Sequence, residues 1–169
     1  MDVNFFTRQL TDNAAHIEAL VRGITPEEAR WKPDAESWSI LEVANHLYDE
    51  EKEDFRVRLN IILHHPDRDW PPIDPAGWVT KRNYNARDLG ESLANFLAER
   101  KASLSWLETL ENVDWDAVYA APFGSMRAGD MFAAWVTHDH LHMRQLVEIQ
   151  RALTVEKSAP YSLRYAGDW

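Results

Sequence analysis

The sequence predicts an all-α protein, a four-helix bundle whose second and third helices run parallel. Four segments repeat apolar residues at helical spacing, and a long proline-rich connection separates the second from the third. The chain has 169 residues, 45% hydrophobic and 11% aromatic, enough for one packed domain spanning residues 1–169.

Phe6, Leu10, Ala14, Ile17 and Val21 form the apolar stripe of the first helix, expected over about residues 2–22 and ending near Gly23. Thr25-Pro-Glu-Glu28 has the form of a capping box with proline at the first helical position, which opens a short helix reaching about Trp31. Ser39 and Glu42 repeat that signal at the start of the second long helix. Its stripe runs through Val43, Leu47, Phe55, Leu59 and Ile62, and Pro66 stops it after His64 and His65.

Residues 66–79 hold Pro66, Pro71, Pro72, Pro75 and Gly77, a crossover too long for a tight antiparallel hairpin. A third helix over about 85–110 carries Leu89, Leu93, Phe96, Leu97, Leu104 and Leu107. The stretch from Trp115 to Ser125 is too short and broken for a helix, and the fourth runs from about 128 to 152.

The charge of −10 disfavours nucleic acid, which rewards clustered Lys and Arg. With no cysteine, the chain has neither disulfides nor thiolate ligands, so a bound metal must use His, Asp or Glu. The N-terminus lacks the form of a secretion signal and no apolar run is long enough to span a membrane, so the expectation is a soluble, cytoplasmic protein. Six glycines, without a phosphate-binding loop or a Gly-x-Ser-x-Gly elbow, argue against nucleotide and serine-hydrolase folds.

The histidines carry the chemistry. Met131, Trp135, His138, His142, Gln145 and Ile149 step by four and three along the last helix, which puts His138 and His142 on its apolar stripe. Residues four apart lie about 40° apart around a helix and one turn along it, so two such imidazoles can share an ion. His140 falls on another face. Two buried imidazoles with no partner would be costly, and a metal relieves that cost.

His46, beside the stripe of the second helix, is the best third ligand; His16 is core-flanking, and His64 and His65 sit at a helix C-terminus that favours cations. Three neutral nitrogens leave a coordination position open, as in catalytic rather than structural sites. The ion could be Zn, Ni, Fe or Cu. Glu50, one turn beyond His46, and Asp49 are candidates for a general base, an outer hydrogen-bond acceptor or a weak extra ligand; alternatively both belong to a solvated acidic run, Asp49 to Asp54. Gln145 continues the ligand face and is a candidate to orient water or His142, or else an ordinary core hydrogen bonder. The zincin motif fails because Asp139 stands where Glu is needed, and the chain has no Glu-x-x-His unit for a ferritin-like di-iron site.

Trp31-Lys-Pro33, Ser37-Trp-Ser-Ile-Leu-Glu-Val-Ala-Asn-His-Leu47 and His138-Asp-His-Leu-His-Met-Arg-Gln-Leu146 together resemble the DinB superfamily, a YfiT-like group of metal-dependent enzymes. The resemblance covers nearly the whole chain. It implies a bundle with parallel second and third helices and one divalent metal on His46, His138 and His142. It also implies a small-molecule substrate, since family members include transferases and isomerases that use low-molecular-weight thiols.

The leading expectation is therefore a metal-dependent enzyme activating such a thiol for transfer to an electrophile. A hydrolase using metal-activated water and a non-catalytic metal-binding stress protein are the alternatives. A basic pocket built from Arg82, Arg87, Arg127 or Arg144 would favour the thiol. Eight tryptophans suggest a face buried against a partner, hence a homodimer.

Overall fold

A computed structural model of the chain describes residues 1–121 and 123–169. The long elements are α1 (Val3–Val21), α3 (Ile40–Glu50) continuing through a π-helical turn (Glu51–Phe55) into α4 (Arg56–His64), α6 (Leu89–Glu108) and α7 (Ala128–Lys157). Short elements join them: α2 (Pro26–Arg30), α5 (Pro75–Lys81), a 3₁₀ turn (Tyr84–Ala86) and a hairpin of β1 (Val118–Ala121) and β2 (Gly124–Arg127).

The caps explain where the helices begin. Thr25 and Ser39 each accept from the amide three residues on, Glu28 and Glu42 return the bond, and both capping boxes are complete. Gly23, at φ +80°, follows α1 in the left-handed region that glycine enters without strain.

Side-chain pairing fixes helix direction. Asn45 donates to Ser92, Arg100 binds Glu51, and Arg56 donates to Ser103. Residue numbers climb together, so the second and third long helices run parallel. Between α3 and α7 they run oppositely, with His46 beside His142 and Glu51 accepting from Trp135. Asn13 with Asp139, and Leu20 with Gln150, place α1 parallel to α7. The order is up, down, down, up, and the crossover carries the chain between the two parallel helices.

Two apolar clusters fill the bundle. One gathers Leu10, Leu59, Ile62, Phe132 and Trp135; the other gathers Ile17, Ile40, Val43, Phe96 and Leu146. Each buried side chain of this size contributes about 1.5–3 kcal/mol, so the two clusters can hold the helices together without help from a metal.

Several sequence expectations need correction. The crossover contains a short helix that was not anticipated: Asp74 caps α5 by accepting from Gly77, and Pro75 occupies its first turn. That is the signal already read at Thr25-Pro26. The stretch 115–125, too broken for a helix, is indeed not helical and contains most of the hairpin; Pro122 lies outside the described residues. The last helix extends to Lys157. The second long helix contains a π-helical turn that its apolar stripe did not signal. His16 is exposed rather than core-flanking.

Candidate metal centre

His46 from α3 and His138 and His142 from α7 meet across the antiparallel helix pair. Their ligand nitrogens all lie within 4.8 Å of one another, with no carboxylate joining the group among the described residues. His138 Nε2 lies 3.3 Å from His46 Nε2 and 3.1 Å from His142 Nε2. Nitrogens bound to one ion at about 2.0–2.1 Å are separated by about 2.8–3.0 Å in octahedral and about 3.3–3.4 Å in tetrahedral geometry.

The proton count shows why these nitrogens suit a cation. His142 Nδ1 lies 2.8 Å from Gln145 Oε1, an arrangement that assigns the proton to Nδ1 and leaves a lone pair on Nε2. A neutral His138 Nε2 either donates or accepts, and can satisfy only one of its two nitrogen neighbours. Extra protons are resisted: burial, then the neighbouring His142, pushes His46 down to about 3. Burial, then His142 and His46, pushes His138 down to about 2. Burial also lowers His142, against the raising effect of Gln145. Converging neutral imidazoles are a donor set for a divalent ion.

Aromatic rings hold the imidazoles in place. The Trp38 ring lies edge-on to His46 at 4.9 Å and parallel to His142 at 6.3 Å, and Phe55 lies 4.9 Å from His138. Beside them opens a cleft of about 410 Å³ lined by Trp38, His142, Gln145, Glu36 and Glu148 among others.

The structure brings Gln145 to the cluster but directs the acidic candidates elsewhere. Asp49 accepts from Tyr84 and pairs with Arg82 at 2.8 Å. Burial, then Asp49, raises the Tyr84 hydroxyl, keeping it protonated. Glu50 is buried one turn from His46, and its Oε1 finds no hydrogen-bond partner among the described residues. Burial, then the Asp54 carboxylate, pushes it up to about 8. The acidic run is not a solvated face, because Asp49, Glu50, Glu51 and Asp54 are all buried.

The π-helical turn explains how successive acids turn inward, since the extra residue per turn re-aims side chains that a regular helix would send to solvent. It lets Glu51 reach Arg100 while Phe55 stacks on Trp135 at 6.0 Å. Arg100, 2% exposed, binds Glu51 and Asp139 with two bonds each and also donates to Leu10 O. Burial opposes its charge, yet Glu51 and Asp139 hold its pKa above the usual arginine range. Asp139 follows His138 directly in α7, so this network, which was not anticipated, holds the same turn of helix. The available signal was a lone arginine among Leu93, Phe96, Leu104 and Leu107 at helical spacing. Trp38 carried no periodic signal.

The expected arginine pocket is not assembled. Arg82 pairs with Glu53 and Asp49, Arg87 donates to Asn45, Arg127 pairs with Asp130, and Arg144 with Glu148. Nor do the tryptophans call for a partner subunit: seven are buried or half-buried within the chain, and the exception, Trp169, is 71% exposed.

An up-down-down-up bundle with three imidazoles converging between its helices defines a class of proteins, and the sequence comparison agrees. The sequence model of the DinB superfamily matches residues 9–146, and the chain belongs to that superfamily. Among solved structures it is similar to YfiT from Bacillus subtilis, with a TM-score of 0.79 at 18% identity, covering 90% of this chain and 87% of that one. YfiT is described as a probable metal-dependent hydrolase with an unusual four-helix bundle topology. At that identity the likeness establishes the shared fold. No curated protein matches the chain.

Proposed function

We propose that the protein is a metal-dependent hydrolase whose single divalent ion is held by His46, His138 and His142. The observation that carries this reading is the convergence of three neutral imidazoles at the edge of an open cleft. A divalent ion bound there would polarise a substrate carbonyl and lower the pKa of water.

The chain's own residues prepare the site. Gln145 Oε1 accepts a hydrogen bond from His142 Nδ1–H and so aims Nε2 at the centre. Trp38 and Phe55 pack against the His46 and His138 rings and limit their rotation. Asp49, engaged by Tyr84 and Arg82, anchors α3 in place, and Glu50, buried one turn beyond His46, retains its proton at neutral pH and adds no negative charge beside the histidines. The description of YfiT as a probable hydrolase supports the same reading. Thiol transfer ranks below hydrolysis because the arginines that would receive a thiol's carboxylates are paired with acids or held by other groups.

The test is to strip the protein with chelator, reload it separately with Zn, Ni and Fe, and assay a panel of esters and amides beside a thiol-conjugation assay. Metal-dependent hydrolysis that disappears in His138→Ala is expected. Conjugation without hydrolysis would replace this reading with thiol transfer.

A further inference from the structure

The cleft beside the histidines has a chemical character of its own. At about 410 Å³ it suits a small organic molecule, and His142, only 6% exposed, brings the histidine cluster to its wall. The remaining lining combines the indole of Trp38 and the apolar Pro33 and Ile149 with Ser37, Gln145, Glu36 and Glu148, and no Lys or Arg lines it among the described residues. Arg144 pairs with Glu148 at 3.3 Å, and with the two side chains 69% and 45% exposed the pair is weak and readily exchanged for another cation. Glu36 thus faces the cleft beside a flat aromatic wall.

We propose that this cleft selects an organic cation, a small molecule bearing an ammonium or guanidinium group, and presents its uncharged end to the three histidines. The inference rests on the hydrolase reading for what happens at that end, but the recognition of charge does not need the metal. An ammonium gains from the indole face as well as from carboxylates, and an indole is the best aromatic partner for a cation. The chain's net charge of −10 attracts cations over longer distances. An anionic ligand would meet Glu36 and Glu148 with no basic side chain in the lining to offset them.

The experiment uses acetylcholine as a cationic probe and 3,3-dimethylbutyl acetate as its uncharged isostere, followed by two-dimensional NMR of the indole and backbone amides. Titrations are run on metal-loaded and on chelator-stripped protein. The proposal expects shifts at Trp38, Ser37 and Gln145, and tighter binding of the cation than of the isostere in both forms. Glu36→Gln and Glu148→Gln should each weaken the cation by about two- to fivefold, leaving the isostere and the metal content unchanged. Equal affinity for the two probes, or a cation affinity indifferent to both substitutions, would overturn it. Failure to bind metal, with cation preference retained, would instead count against the hydrolase reading and leave this one standing.

Discussion

Gln145 illustrates how much one outer hydrogen bond can matter. Its Oε1 fixes the His142 ring, and losing such a partner typically lowers metal affinity about 10–100-fold. Gln145→Leu should therefore weaken metal binding by that factor in a chelator competition, with an unchanged circular dichroism spectrum. Glu50 makes a different prediction. Its folded pKa of about 8 exceeds the ordinary 4.5, so across that window the folded chain keeps a proton that the unfolded chain has released. Its stabilising contribution is complete below about pH 4.5 and is lost as pH rises through about 8, with a slope of at most about 1.4 kcal/mol per pH unit. Urea midpoints at pH 5 and pH 8 should fall less with pH in Glu50→Gln than in the wild type. An identical pH slope in the two proteins would mean that Glu50 ionises normally. At this scale the imidazole trio was legible in the sequence because helical spacing projects directly onto a face. The fate of Asp49 and Glu50 was not, because their partners Tyr84 and Asp54 are set by tertiary packing and by the π-helical turn.

At the level of elements, the capping boxes, the helix stops and the crossover were all written locally, in Thr25-Glu28, Ser39-Glu42 and the prolines of 66–75. The π-helical turn and the hairpin were not. A π-helical turn is visible only when both flanking faces are known to be buried, and β1 and β2 are four residues each with little alternation. The turn has a testable role. Deleting the exposed Lys52 removes the extra residue and lets α3 run into α4 as a regular helix with the downstream phase kept; the wide turn that aims Glu51 at Arg100 is lost, which should lower both thermal stability and metal content. Wild-type melting and metal content in the deletion variant would show the turn to be incidental. Arg100 ties three long helices together through Glu51, Asp139 and Leu10. Arg100→Met leaves two buried carboxylates uncompensated and should cost about 3–5 kcal/mol in chemical denaturation.

For the molecule as a whole, the parallel arrangement of the second and third long helices places α3 antiparallel to α7, and that pairing brings His46 to His138 and His142. The site is thus a product of topology, while the two apolar clusters supply stability independently of it. Removing the metal should lower the melting temperature but leave a folded bundle, since an ion held at a hundred times its Kd adds only about 2.7 kcal/mol. The most direct measurement of the central claim is metal content per chain for the wild type and for His46→Ala, His138→Ala and His142→Ala, each checked by circular dichroism. One divalent ion on the wild type and its loss from every folded variant is the predicted result. Full occupancy in any one of the three variants would contradict a centre built from these histidines.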